Sequence, residues 1–329
     1  MSVEAKVVVT DYVWDSLDVE RRILEGRAHL VPLQTRNPDE FLVQAADCDG
    51  LLNTYAGPIT ADVIGKMPRC KIIARYGIGV DTIDLNAATA AGIIVTNNPS
   101  YCIEEVAEDA MALMLACARK VVHFDRLVRD GRWEITSGKP MFRVAGSTLG
   151  LVGFGNIARQ VALRAAAFQM RVLYFDPFVR PGQIDAPGTR VEFDQLLRES
   201  DFVSLHAPLT PQSRGMMNVA AFSKMKARAF LINCARGPLV DTEALVRALD
   251  EKLIAGCALD TTDPEPLPNP HALRGRDNVI IQPHTAWYSE QAMSGLQAGA
   301  PNEVRRVLCG EWPQNVVNPT VRGRNRAGL

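Results

Sequence analysis

Short β-branched runs alternate along the chain with segments whose apolar positions recur at helical spacing. The first runs fall at residues 6–10, 50–55, 71–76 and 93–97. A second series, at residues 148–154, 170–175, 202–206, 230–234, 257–260 and 279–282, is more uniformly apolar and predicts six buried strands. Buried strands separated by helix-length segments pair in parallel, with the helices as crossovers. Between the two series Val106, Ala110, Leu113, Met114, Cys117 and Val121 predict one long helix over residues 104–129. Glu104, Glu105, Glu108 and Asp109 near its start suit the positive end of a helix dipole and need no catalytic role. Residues 289–310 are again helical in pattern, so a terminal helix is expected to return to the first domain. Pro301 lies inside that segment, and an interior proline costs about 3 kcal/mol, so a break is expected near Ala300 with Pro301 opening a new turn.

At 329 residues the chain suits two cores rather than one. The expected fold class is α/β, with two doubly wound parallel-sheet domains. Residues 1–100 with 289–329 are expected to form one, discontinuous domain and residues 101–288 the other. Apolar residues make up 47% and charged residues 22%, a balance that predicts folding throughout. A formal net charge of −1 gives no general attraction to nucleic acid or anionic lipid, and Arg322, Arg324 and Arg326 read as a frayed, solvated tail.

Residues 1–10 carry Glu4 and Lys6 and lack the apolar centre of a secretory signal, so they read as a first strand. The most apolar helical stretch, residues 111–118, is well short of the ~20 residues that span a bilayer, so no membrane segment is expected. Seven cysteines (Cys48, Cys70, Cys102, Cys117, Cys234, Cys257 and Cys309) are scattered and never spaced as CxxC. Such usage suits reduced thiols in a soluble cytoplasmic protein, with neither a disulfide framework nor a metal site.

The strand at 148–154 runs into Gly153-Phe154-Gly155-Asn156-Ile157-Ala158, then a helical segment, then the strand at 170–175 and Asp176. This is a dinucleotide-binding fingerprint in its proper strand-loop-helix setting. Gly153 permits the tight turn, Gly155 lets the backbone approach a pyrophosphate, and the helix N-terminus supplies amide donors. Ala158 stands for the third glycine. Asp176 is placed to accept ribose hydroxyls and to repel a 2′-phosphate, so NAD is favoured over NADP, with Arg180 blurring the preference. Val152, Gly153, Phe154, Gly155, Asn156, Ile157 and Asp176 are therefore the expected cofactor contacts of this half.

Three further segments each begin where a strand ends: Asn233-Cys234-Ala235-Arg236-Gly237, then Asp260-Thr261-Thr262-Asp263-Pro264-Glu265-Pro266, then Pro283-His284-Thr285-Ala286-Trp287. Carboxyl ends of strands in a doubly wound sheet face the ligand crevice, so the three loops are expected to converge beside a nicotinamide. Reducing a 2-oxo acid needs a cation for the carboxylate and carbonyl, and an acid to protonate the nascent alkoxide. Arg236 and His284 fit those roles. A Glu265 carboxylate against the imidazole favours its protonated form and fixes its tautomer. His29, His123 and His271 belong to no motif and read as structural.

The combination of GFGNIA, NCARG, DTTDPEP and PHTAWYSEQA resembles the D-isomer-specific 2-hydroxyacid dehydrogenases over essentially the whole chain. VALRAAAF before Asp176 and AWYSEQA after His284 look most like the C-terminal-binding-protein branch, which includes transcriptional corepressors as well as bacterial enzymes. The resemblance implies a flavodoxin-like substrate domain around a central Rossmann domain, and a homodimer through the latter. It also implies Arg236, Glu265 and His284 as catalytic residues, with Tyr76, Gly77, Ile78 and Gly79 at the substrate carboxylate. By the same carry-over Asp260 holds the nicotinamide amide beside Cys234 and Ala235, His206, Ala207, Pro208 and Thr210 run along the cofactor, and Trp287 and Tyr76 wall the substrate pocket. The expected activity is NAD-dependent interconversion of a small 2-oxo acid and its D-hydroxy acid. The alternative is a corepressor-like NAD(H) sensor that binds peptides.

Overall fold

The computed structural model describes residues 4–180 and 185–329, so the first three residues of the segment read as a first strand lie outside the described part. The chain forms two compact units, Met1–Cys102 with Ser289–Leu329, and Ile103–Tyr288. Each is built on its own parallel sheet.

In the first unit β1 (Ala5–Val9), β2 (Ala28–Pro32), β3 (Gly50–Asn53), β4 (Ile72–Arg75) and β5 (Ile94–Thr96) pair in the order β2-β1-β3-β4-β5. That 2-1-3-4-5 order is the flavodoxin-like one. Val7, Val8, Val9, Leu51, Leu52, Ile72 and Ile73 are wholly buried, as strands covered on both faces must be. β2 escapes the apolar pattern because it is an edge strand in which only Ala28 is buried. The helix Glu290–Leu308 runs unbroken through Pro301, contrary to the expected break. Pro301 is itself buried on the face that carries Leu296, Ala300, Val304 and Val307, and Asn302 Nδ2 donates to Ala298 O at 2.8 Å where the ladder is disturbed. Burial and that extra bond offset the lost backbone bond. The basic C-terminus is not frayed either: Val321 is wholly buried, and Arg326 donates through Nη1 to Met67 O at 2.8 Å and through its backbone amide to Gly92 O at 2.8 Å.

In the second unit β6 (Thr148–Val152), β7 (Arg171–Phe175), β8 (Thr189–Arg190), β9 (Phe202–Leu205), β10 (Phe230–Asn233), β11 (Gly256–Leu259) and β12 (Val279–Ile281) form a seven-stranded parallel sheet. The order β12-β11-β10-β9-β6-β7-β8 reverses direction at β6, which opens a crevice at the carboxyl ends beside that strand. The strand missed by the sequence pattern, β8, is a two-residue edge. The long helix predicted over residues 104–129 is two helices, Ile103–Arg119 and Val121–Arg129, because Lys120 adopts the left-handed conformation (φ 51°, ψ 39°). Lys120 donates to Cys117 O in a tightened turn while its carbonyl accepts from Phe124, which starts the second helix. The apolar stripe continues across the break, so periodicity alone does not reveal it. Among the described residues no helix is long and apolar enough to cross a membrane.

Candidate active site

Every expected cofactor and reaction residue of the second unit lies at or just beyond the carboxyl end of a strand: 152–157 run from the tip of β6 through the turn into the next helix, Asp176 follows β7, His206, Ala207, Pro208 and Thr210 follow β9, Cys234, Ala235 and Arg236 follow β10, Asp260 and Glu265 follow β11, and His284 and Trp287 follow β12. Gly153 has φ +89°, and a Cβ there would stand 2.8 Å from backbone atoms of His206 and Ala207. Only glycine lets the first loop press against the loop after β9. The Phe154 amide donates to Asp176 Oδ2 at 2.8 Å and the Phe178 amide to Oδ1 at 2.8 Å, which fixes the carboxylate at the tip of β7. Phe154 is buried and stacks on Tyr174 with ring centroids 3.9 Å apart.

Gly155 caps the helix Asn156–Ala167 without any side-chain bond, and a Cβ built on it meets nothing within 4 Å. An uncapped, exposed helix N-terminus bordered by an empty glycine face and a pinned carboxylate is the shape and charge that a dinucleotide's pyrophosphate and ribose require. The residues present therefore fit NAD(P). His206 lines up along the same edge; its Nε2 lies 2.9 Å from Ser204 Oγ, and burial lowers its pKa to about 4, so it is neutral near neutral pH. Ser213 Oγ braces the loop by donating to Pro208 O at 2.7 Å and accepting from the Thr210 amide at 2.8 Å.

β10, β11 and β12 end in register, Asn233 opposite Leu259 and Leu259 opposite Ile281. Cys234, Asp260 and Gln282 are therefore neighbours in a row across three strand tips. Asn233 is wholly buried and folds the following turn, donating to Arg236 O at 2.9 Å and accepting from the Ala235 amide at 3.0 Å. A Cβ on Gly237 would lie 2.0 Å from Thr262 O, so the arginine-bearing turn touches the glutamate-bearing loop backbone to backbone. Asp260 Oδ1 accepts from the Thr285 and Ala286 amides at 2.7 and 3.2 Å, and its carbonyl accepts from the His284 amide at 2.9 Å. Burial raises the Asp260 pKa above the ordinary value.

His284 is held in the left-handed region at φ 58°, a conformation costing a non-glycine residue about 1 kcal/mol, with its Nδ1 2.6 Å from Glu265 Oε1. Burial acts to raise the Glu265 pKa, but the bond and charge of His284, the Thr262 amide and the Arg236 guanidinium outweigh it and hold the carboxyl below its usual value. The three sequence-predicted side chains are thus gathered at one end of one sheet, with the Glu265 carboxyl influenced by both the imidazole and the guanidinium. Trp287 follows on the same loop, edge-on to Tyr288 at 5.6 Å.

In the first unit the Gly77-Ile78-Gly79 loop leaves β4, tied by Arg75 Nε to Gly79 O at 2.8 Å and by Asn97 Nδ2 to Ile78 O at 2.8 Å. Tyr76 does not wall a pocket as expected. Its side chain is wholly buried, its hydroxyl donates to Glu20 Oε1 at 3.2 Å, and its ring meets Trp14 edge-on at 4.7 Å. Sequence reasoning also missed Asp11, a buried carboxylate that accepts from the amides of Thr54, Tyr55 and Ala56 and so shapes the loop after β3. No signal within either segment links the two. Asp109 departs from the helix-dipole reading as well: it stands in the second turn of the helix, half-buried, facing Cys234 and Gln282.

Residues 111–286 match the family model of the D-isomer specific 2-hydroxyacid dehydrogenase NAD binding domain. The chain is 41% identical to a glyoxylate reductase of Korarchaeum cryptofilum over 285 residues, covering 85% of this chain and 86% of the relative. It is 36% identical to a D-3-phosphoglycerate dehydrogenase of Methanocaldococcus jannaschii, covering 95% of this chain and 59% of that longer one. A D-lactate dehydrogenase from Aquifex aeolicus, solved with NAD and lactic acid, superposes with a TM-score of 0.86 at 27% identity, covering 98% of this chain and 99% of that one. Such relatives correct the expected C-terminal-binding-protein-like branch. The segments that suggested it are short, and their residues pack and cap: Val161, Ala162 and Ala165 are buried helix positions, and Ser289 caps the terminal helix by accepting from the Ala292 amide. With a family model matched over more than half of its length and a relative 41% identical over 85% of it, the chain belongs to the D-isomer-specific 2-hydroxyacid dehydrogenase family, oxidoreductases with an NAD-binding domain.

Proposed function

We propose that the chain reduces a small 2-oxo acid, with glyoxylate or a close analogue as the substrate, and oxidises the D-hydroxy acid in reverse. A bound nicotinamide supplies or takes the hydride. Arg236 holds the carboxylate and polarises the carbonyl, and His284 gives a proton to the oxygen or removes it. Glu265, kept ionised, orients the imidazole and stabilises its charged form. The observation that carries this reading is the 2.6 Å His284–Glu265 pair on loops joined to the Arg236 turn by the Gly237 contact. Asp260 and the backbone of Cys234 and Ala235 are assigned to the carboxamide of the nicotinamide, and the amides of Ile78 and Gly79 to a carboxylate. The test is NADH consumption by the purified chain with glyoxylate, hydroxypyruvate, pyruvate and phenylpyruvate. Turnover is expected with the smaller acids; none with any acid would reject the assignment.

NAD is the proposed cofactor, because the fixed Asp176 carboxylate would face a 2′-phosphate. NADH is expected to give about tenfold or more higher kcat/KM than NADPH, and Asp176→Ser to narrow that ratio. A homodimer through the NAD-binding unit is proposed from Val121, Val128, Trp133, Ile135 and Phe142, which expose a large apolar area over a short stretch; Trp133 alone is 89% exposed. Sedimentation is expected to show two copies, and Trp133→Asp to shift the balance toward one.

A further inference from the structure

Helix Ile103–Arg119 packs on β10 and β11, and its Asp109 side chain reaches the ends of two strands at once. Oδ1 accepts from Gln282 Nε2 at 3.1 Å, and Oδ2 takes the Cys234 thiol at 3.7 Å. Cys234 stands two residues before Arg236, and Gln282 two residues before His284. Asp260 lies between them in the row, so Asp109 spans it from the helix side. Gln282 Oε1 is buried with no partner among the described residues, which leaves the bond to Asp109 as the contact that orients this amide.

We propose that Asp109 is a positioning residue that clamps the β10 and β12 tips, setting the spacing between the loops that carry Arg236 and His284. This rests on the dehydrogenase reading above. The clamp is a matter of acceptor geometry rather than of net charge. Both partners of Asp109 are neutral donors, an amide and a thiol, and burial raises the pKa of Asp109 and of the neighbouring Asp260. A neutral acceptor should therefore serve.

Asp109→Ala removes both bonds, whereas Asp109→Asn keeps an oxygen for Gln282 and discards the charge. The alanine variant is expected to lose kcat about tenfold or more, as displaced catalytic groups do, with the KM for NADH little changed. The asparagine variant is expected to restore kcat to near the parent value. Gln282→Met, which breaks one of the two bonds from the other side, is expected to lower kcat in the same direction by a smaller factor, and replaces the alanine variant if that variant does not fold. Unchanged kcat in Asp109→Ala, or equal loss in Asp109→Asn, would overturn the clamp. Amide hydrogen exchange at residues 233–236 and 282–286 gives a readout independent of turnover: faster in the alanine variant, parent-like in the asparagine one. Absence of turnover in the parent chain rejects the dehydrogenase reading, and the exchange comparison then decides the clamp alone.

Discussion

Two glutamates, each hydrogen-bonded to a ring-bearing side chain, sit on opposite sides of the ordinary carboxyl range. Glu265 is partly open to solvent, faces an imidazole and a guanidinium, and is held ionised. Glu20 is wholly buried, faces a phenol and an indole edge, and burial pushes its pKa from 4.5 up to about 7. The bond lengths, 2.6 and 3.2 Å, do not by themselves explain this. What separates the two is how deeply each carboxyl is buried and whether its hydrogen-bonded partner can carry positive charge. A cation offsets the loss of solvent; a neutral donor offsets only part of it, and the acid answers by keeping its proton.

The comparison breaks most severely if the imidazole partner is removed. His284→Asn preserves a residue type that tolerates the left-handed backbone but supplies no acid near neutral pH. Turnover is expected to fall by about 10²- to 10⁴-fold with NADH binding retained, read by steady-state kinetics and fluorescence titration. Next in size is Glu20→Gln. The folded chain binds the Glu20 proton more tightly than the unfolded chain, so its contribution to stability is whole below 4.5 and declines as pH rises through about 7. At about pH 8 the variant is expected to be more stable than the parent by up to about 3 kcal/mol, and at about pH 4 the difference should vanish. Thermal melts across that range check both ends; a constant offset would mean that packing, not protonation, sets the effect. Smallest is Glu265→Gln, which keeps a hydrogen-bond acceptor but not the charge. A loss in kcat of about tenfold is expected. Because the Glu265 pKa is depressed, the parent pair should stay coupled above the ordinary carboxyl range and weaken only as pH falls through the lowered value, an acid limb that the variant lacks.

Much of the architecture was readable from periodicity because central parallel strands are buried on both faces and leave unbroken apolar runs. Edges were not: β2 and β8 are half-covered or too short to imprint a pattern. Lys120 shows the reverse limit, a change in backbone under a continuous apolar stripe. For Pro301 the local rule counted one lost hydrogen bond and left out tertiary burial, which prevailed. In the site, Arg236, Glu265 and His284 stood out because their segments begin at strand ends and carry unusual residue types. Asn233, Asp109 and Asp11 were hidden because what they do is decided by partners folded onto them. Asp11 acts on a loop more than forty residues away, and Asp109 on residues 125 and 173 positions further along the chain.

The missing side chain at Gly237 also marks where this protein can and cannot be redesigned. With the arginine turn and the acidic loop seated directly on each other, a methyl group at that position would wedge apart both halves of the reaction apparatus, however well it suited the turn itself. Laboratory selection for new substrates should therefore leave this seam untouched and vary Tyr55, the half-buried member of a loop whose backbone is tethered by Asp11, while keeping the buried Thr54 and Ala56 on either side of it.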